Sequence, residues 1–222
     1  KFHNGEEPSA DITKWMGDVY AEAARKIEQD PDLEVELRTL YGRWDRREPE
    51  IVQLWEQTRE WSLEGFRQMY AALDVRFDVY YFNSQEEQPG KKMVAELVER
   101  GIASDERSQG GAVVVKIDEI LGLNKEQYRT AVVLRSDGTA LYATEDLALV
   151  LHKFHDYPDL TKSVYVVDVR QSLHFTQVFK ILEIAGYAQS QNCNHVSYEL
   201  VTLPGNVVVS SREGTVVLME DL

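Results

Sequence analysis

The run Val164-Tyr165-Val166-Val167-Asp168-Val169 constrains the fold of this chain more than any other feature. It is almost continuously β-branched or aromatic, as a strand buried on both faces of a parallel sheet reads. A helix is expected directly behind it, from about Ser172 to Ala185, closed by Gly186 as the residue past its C-terminus. Another strand follows, from His195 to Leu203, and then Pro204-Gly205 and a last β-rich segment. The same alternation runs upstream. Met93 to Val98 reads as a short helix closed by Gly101, Ala112 to Ile117 and Ala131 to Leu134 as strands, and Thr144 to His155 as a helix. Strands alternating with helices predict an α/β sheet, whose ligands sit at the carboxyl ends of the strands.

Upstream of about residue 75 the pattern is helical. Asp11 precedes Ile12, Trp15, Met16, Val19 and Ala23, an apolar stripe at helical spacing. Asp30-Pro31 starts a second helix, carrying Leu33, Leu37, Leu40 and Tyr41, and Pro49 opens a longer third one. Trp15, Trp44, Trp55 and Trp61 read as helix-packing residues rather than a ligand cage. Phe77 to Phe82 reads as a strand that ends in Asn83-Ser84. The change near residue 75 is a shift of composition without a linker, and the sequence holds no internal repeat.

A chain of 222 residues can bury a core in one large domain or two small ones. The net charge is −14, and the helical region holds dense acidic runs such as Glu28 to Glu34. That surface repels phosphate, so a general nucleic-acid grip is not expected there; a solvated helix face is the plain reading. No apolar run approaches the ~20 residues of a membrane helix, and Lys1 to Gly5 is no signal peptide. A soluble chain without a membrane partner is expected. The single cysteine, Cys193, excludes an intrachain disulfide and a cysteine-based metal cluster, and a reducing cytoplasm fits.

Three polar clusters fall where ligands would be met. In Arg135-Ser136-Asp137-Gly138-Thr139 the chain turns, and Tyr142 and Asp146 follow, four apart, at a helix start that Thr144 can cap, with Asp146 in the first turn. A phenol beside a fixed carboxylate suits a cationic, hydrogen-bonding group. Gln171 and His174 follow the strand ending at Val169, and Ser210-Ser211-Arg212-Glu213-Gly214-Thr215 is a small polar loop. Loops at the strand ends of one sheet converge, so the three clusters are expected to line one cleft. Taken singly, each has a structural alternative: turn and helix caps, a satisfied histidine, a hairpin turn. There is no nucleophile elbow, P-loop or Gly-x-Gly-x-x-Gly fingerprint. His152 and His155 are three apart on a helix, but no third ligand is evident and no metal site is assigned.

In order and spacing the three clusters resemble arginyl-tRNA synthetase, a class I aminoacyl-tRNA synthetase. The family's Arg/Lys-Ser-Asp-Gly-Thr turn and Tyr-x-Thr-x-Asp block stand here as Arg135 to Thr139 and Tyr142 to Asp146; its Gln-x-x-His stands as Gln171 to His174. Leu54-Trp55, Ser62-Leu63-Glu64 and Leu73 to Asp78 are similar too, so the likeness covers nearly the whole chain. The resemblance implies a portion of a class I nucleotide-binding fold (Rossmann-like, of the HUP type) with a largely helical insertion. Residues 1–130 would be the helical and mixed insertion, and 131–222 the second half of the catalytic fold.

It further implies a ligase that activates arginine with ATP, accompanied by Mg²⁺, to arginyl-adenylate and passes the arginyl group to tRNA(Arg) in the cytoplasm. Tyr142, Asp146 and Gln171 would bind arginine, His174 and Gly214 ATP, and Ser210, Ser211 and Arg212 would form the signature loop. Two departures stand out. The His-Ile-Gly-His-type motif is missing, and the two lysines of the Lys-Met-Ser-Lys-type loop are replaced by Val208 and Glu213. An internal piece of a longer enzyme, inactive alone, is therefore expected. The alternative is a non-catalytic synthetase-like module that binds an amino acid or a protein. The oligomeric state is not legible.

Overall fold

A computed structural model describes residues 11–199, 202–203 and 207–208. The chain forms two compact units, one containing the first three helices and one running from Val79 to Leu200. They separate close to the composition shift seen near residue 75. Residue 130 lies inside the second unit, so the division expected at 130/131 is not a boundary of compactness.

In the first unit α1 (Ile12–Gln29), α2 (Pro31–Asp45) and α3 (Pro49–Ala72) begin where the sequence signals them. The Asp11 carboxylate accepts from the Lys14 N–H at 2.9 Å, and that of Asp30 from the Asp32 N–H at 3.0 Å, each serving an amide the first helical turn leaves unpaired. Pro31 and Pro49 stand at first-turn positions, where a missing N–H costs nothing. The tryptophans pack helix on helix: Trp15 meets Trp61 edge-on at 5.6 Å, and Trp44 meets Trp55 at 5.5 Å.

The second unit carries α4 (Asn83–Glu99), β1 (Ser104–Asp105), β2 (Val113–Lys116), α5 (Ile117–Ile120), β3 (Thr130–Leu134), α6 (Tyr142–Asp156), β4 (Ser163–Asp168), α7 (Ser172–Ile184) and β5 (Cys193–Tyr198). Two expectations fail at its start. Residues 77–82 form no strand, and α4 begins ten residues before Met93. Pro89-Gly90 lies inside the helix, because Glu86, Glu87, Gly90, Met93, Val94 and Leu97 share one buried face. Tertiary burial overrides local propensity. The helix ends as predicted, at Gly101 in the left-handed region (φ 70°).

The strands form separate small sheets. β1-β2-β3 is antiparallel, with a bulge at Val113/Val114, while β4 and β5 pair in parallel, Tyr165 opposite His195. The parallel pairing is as expected; burial on both faces is not. Ser163 and Tyr165 point into the core, whereas Val164 and Val166 are exposed, as are Val196 and Tyr198 on β5. The strand expected to run to Leu203 stops at Tyr198, and β6 (Thr202–Leu203) pairs instead with β7 (Val207–Val208), antiparallel. Between the sheets lies one core in which Val133, Leu147 and Val150 meet Phe175, Val178, Ile181 and Leu182. No helix among the described residues is long and apolar enough to cross a membrane.

Candidate arginine-recognition site

The Arg135–Thr139 turn is built by its own polar groups. Asp137 accepts from the Thr139 N–H at 2.9 Å and from its hydroxyl at 2.7 Å, Gly138 N–H donates to the Arg135 carbonyl at 2.9 Å, and Gly138 takes φ 81°. These bonds from Thr139 hold the Asp137 carboxyl below its ordinary range. The Arg135 guanidinium donates to the Ala140 carbonyl and so ties the turn to the entry of α6.

Helix α6 starts at Tyr142, earlier than predicted. Thr144 is not the cap but the third helical residue, wholly buried. Its hydroxyl accepts from the Leu141 N–H at 3.0 Å and donates to the Val133 carbonyl at 2.5 Å. One hydroxyl therefore closes the helix start and pins it to β3. Gly90 of α4 lies against the same residue so closely that a Cβ there would stand 2.2 Å from the Thr144 carbonyl oxygen.

From this anchored start Tyr142 is 75% exposed, and Asp146 lies one helical turn on, in the second turn rather than the first. The Asp146 Oδ2 is 2.6 Å from Nε2 of His174, the third residue of α7. Gln171 stands just before α7, exposed, three residues after Asp168 at the carboxyl end of β4. Asp168 holds Arg170, accepting from its backbone N–H at 2.9 Å and its Nε at 3.1 Å. Asp146 and His174 are thus brought into contact, while Tyr142 and Gln171 each precede one of them by about one turn. His174, expected on the ATP side, is bonded to the residue expected to meet arginine. The convergence does not come from one sheet edge, since β3 and β4 belong to different sheets; it comes from α6 packing on α7. Ser210, Ser211, Arg212, Glu213 and Gly214 lie outside the described residues.

Several neighbours escaped the sequence reading. Glu145 bonds to Asn83, and burial raises its carboxyl above the ordinary range. Lys153, two turns beyond Asp146, holds its ammonium 3.7 Å over the Tyr165 ring, and burial lowers it to about 8. The signal for Lys153 was present: positions 146, 150 and 153 form one helical stripe, and 150 is core. His152 is held by carboxylates, Nδ1 2.6 Å from Glu86 and Nε2 3.3 Å from Asp156. Among the described residues no group of three or more histidine, cysteine or carboxylate side chains is placed to hold a metal.

The family model for the catalytic domain of class I tRNA synthetases of the arginine type matches residues 3–222. An arginine–tRNA ligase of Bdellovibrio bacteriovorus is 39% identical over the whole chain, and one of Treponema pallidum 35%. The chain spans 38% and 37% of those two proteins, little more than a third. Among solved structures, arginyl-tRNA synthetase of Plasmodium falciparum superposes with a TM-score of 0.61 at 16% identity, over 89% of this chain and 31% of that one. The Thermus thermophilus arginyl-tRNA synthetase gives 0.54 at 22% identity, over 91% and 43%. These two share the α/β fold of the class I catalytic domain. With the family model matched almost end to end, the chain belongs to the class I arginyl-tRNA synthetases.

Proposed function

We propose that this chain is the arginine-recognising portion of a cytoplasmic arginine–tRNA ligase, which joins arginine to ATP as arginyl-adenylate and then transfers it to tRNA(Arg). The observation that carries the reading is Asp146, a carboxylate held in place at an anchored helix start and only partly exposed. A planar guanidinium fits such an acceptor through two parallel N–H bonds; an ammonium does not. Tyr142 and Gln171 flank it and supply a phenol and an amide for the rest of the amino acid. On the same reading 1–130 is the insertion and 131–222 the second half of the catalytic fold. Ser210, Ser211 and Arg212 supply the signature loop, and Gly214 is assigned to ATP.

Both chemical steps need positioning and stabilised phosphate charge more than side-chain acid–base work. Mg²⁺ comes with ATP and neutralises its phosphates; this chain's residues orient the amino acid. In the enzyme containing this chain, Asp146→Ala is expected to raise the KM for arginine about 30- to 1,000-fold, which is the ~2–4 kcal/mol of losing one partner of a buried charge pair. A wild-type KM in that variant would remove Asp146 from the site. A second reading is favoured by Val208, which stands where the family's signature loop carries its first lysine, and by Glu213, an acid in that loop. It is a synthetase-like module that binds an amino acid or a protein without forming the adenylate. Arginine binding without arginine-dependent ATP–pyrophosphate exchange by the intact protein would select it.

A further inference from the structure

The Asp146 carboxylate already has a partner. His174 Nε2 lies 2.6 Å from its Oδ2, and the two side chains are 25% and 22% exposed, so water competes weakly for the bond. The titratable groups around the pair are Glu145 and Lys153 on α6, Tyr165 on β4, and His195 on β5, which stacks at 5.1 Å on Phe175 beside His174. Arg170, just before α7, is engaged by Asp168. Phe175 meets the His174 ring edge-on at 4.9 Å and holds it in place.

A carboxylate free to rotate presents no fixed plane. One held at Oδ2 by a donor from the side keeps Oδ1 and the outer lone pair of Oδ2 in a defined plane, which a planar two-pronged donor requires. A neutral imidazole that donates from Nε2 does this without adding charge. An imidazolium does it too, but it also neutralises the carboxylate that a second cation needs. We propose that His174 is a positioning residue that fixes the Asp146 carboxylate for a guanidinium and so favours arginine over lysine. This rests on the reading of Asp146 as the arginine acceptor.

The test is calorimetric titration of arginine and lysine into the intact protein.

Wild type is expected to bind arginine in preference to lysine. His174→Gln keeps a neutral donor near the Nε2 position, so it is expected to bind arginine within about threefold of wild type and to keep the discrimination against lysine. His174→Phe keeps the ring and loses the donor; it is expected to bind about tenfold more weakly, the ~1.4 kcal/mol of one bond to a charged group, and to discriminate less against lysine. Wild-type affinity in a folded His174→Phe, or a His174→Gln as weak as His174→Phe, overturns the proposal and leaves the arginine site standing. If arginine fails to bind wild type, or binds Asp146→Ala equally well, the arginine reading falls and the proposal with it.

Discussion

At the scale of single residues, the site was legible where a side chain acts on its near neighbours and illegible where it acts across the core. Asp137 and Gly138 build the turn that their spacing announces. Thr144 was expected to cap its helix because threonine commonly does so; it stands instead as the third helical residue, where its hydroxyl accepts from the Leu141 N–H and donates to the buried strand carbonyl of Val133. The Asp146–His174 bond spans 28 residues, and no local rule reaches that far. Lys153 shows what such placement costs. Burial lowers its amine to about 8 from the ordinary 10.5 and outweighs the attraction of the Asp146 charge. Between those two values the unfolded chain binds the extra proton, so folding stability rises with pH across that window. Lys153→Met keeps a flexible stem against Tyr165 and removes the titration. Urea unfolding of both forms is expected to show wild type gaining on the variant from about pH 8 to about pH 10.5. A difference that stays constant with pH would mean that Lys153 is solvated.

Helices betray their starts by caps and prolines, and α1, α2 and α3 were readable for that reason. α4 was not, because its interior carries the punctuation of a turn: Pro89 gives up one backbone donor, and Gly90 weakens the helix further. The structure shows what Gly90 is for. It lets α4 approach α6 at Thr144, the residue that closes the helix bearing Asp146, with no room for a Cβ. Gly90→Ala would gain a few tenths of a kcal/mol, up to about 1, in helix propensity. It must also push the two helix backbones apart, and overpacking of this kind costs about 1–3 kcal/mol. The expected net is a loss of about 1–2 kcal/mol in urea unfolding, together with weaker arginine binding as α6 shifts. A variant at least as stable as wild type would show that the α4–α6 contact is loose. Alanine at the exposed Gly110 would not test the same point, because there φ 80° rather than crowding opposes a side chain.

The fold class was legible for the whole molecule because alternation of strand and helix survives even in a fraction of a sheet. The exposure of β4 and β5 was not: a sequence shows that a strand is apolar, not whether anything covers it. Val164, Val166, Val196 and Tyr198 offer one apolar face to solvent, where parallel sheets in α/β proteins are normally covered on both sides. The chemistry is incomplete in the same way. Adenylate formation depends on fixed positive charge around the phosphates of ATP. This chain carries a net charge of −14, has no His-Ile-Gly-His-type motif, and has valine at the first signature-loop lysine position and an acid, Glu213, in that loop. On the proposed reading Tyr142, Asp146 and Gln171 suit the amino acid, and the nucleotide is left with Arg212 as the loop's one cation. The 222-residue chain by itself is therefore expected to give no arginine-dependent exchange of pyrophosphate into ATP, at any arginine concentration. Measurable exchange would refute this and would require phosphate-binding groups within the chain, with Arg212 the first to substitute.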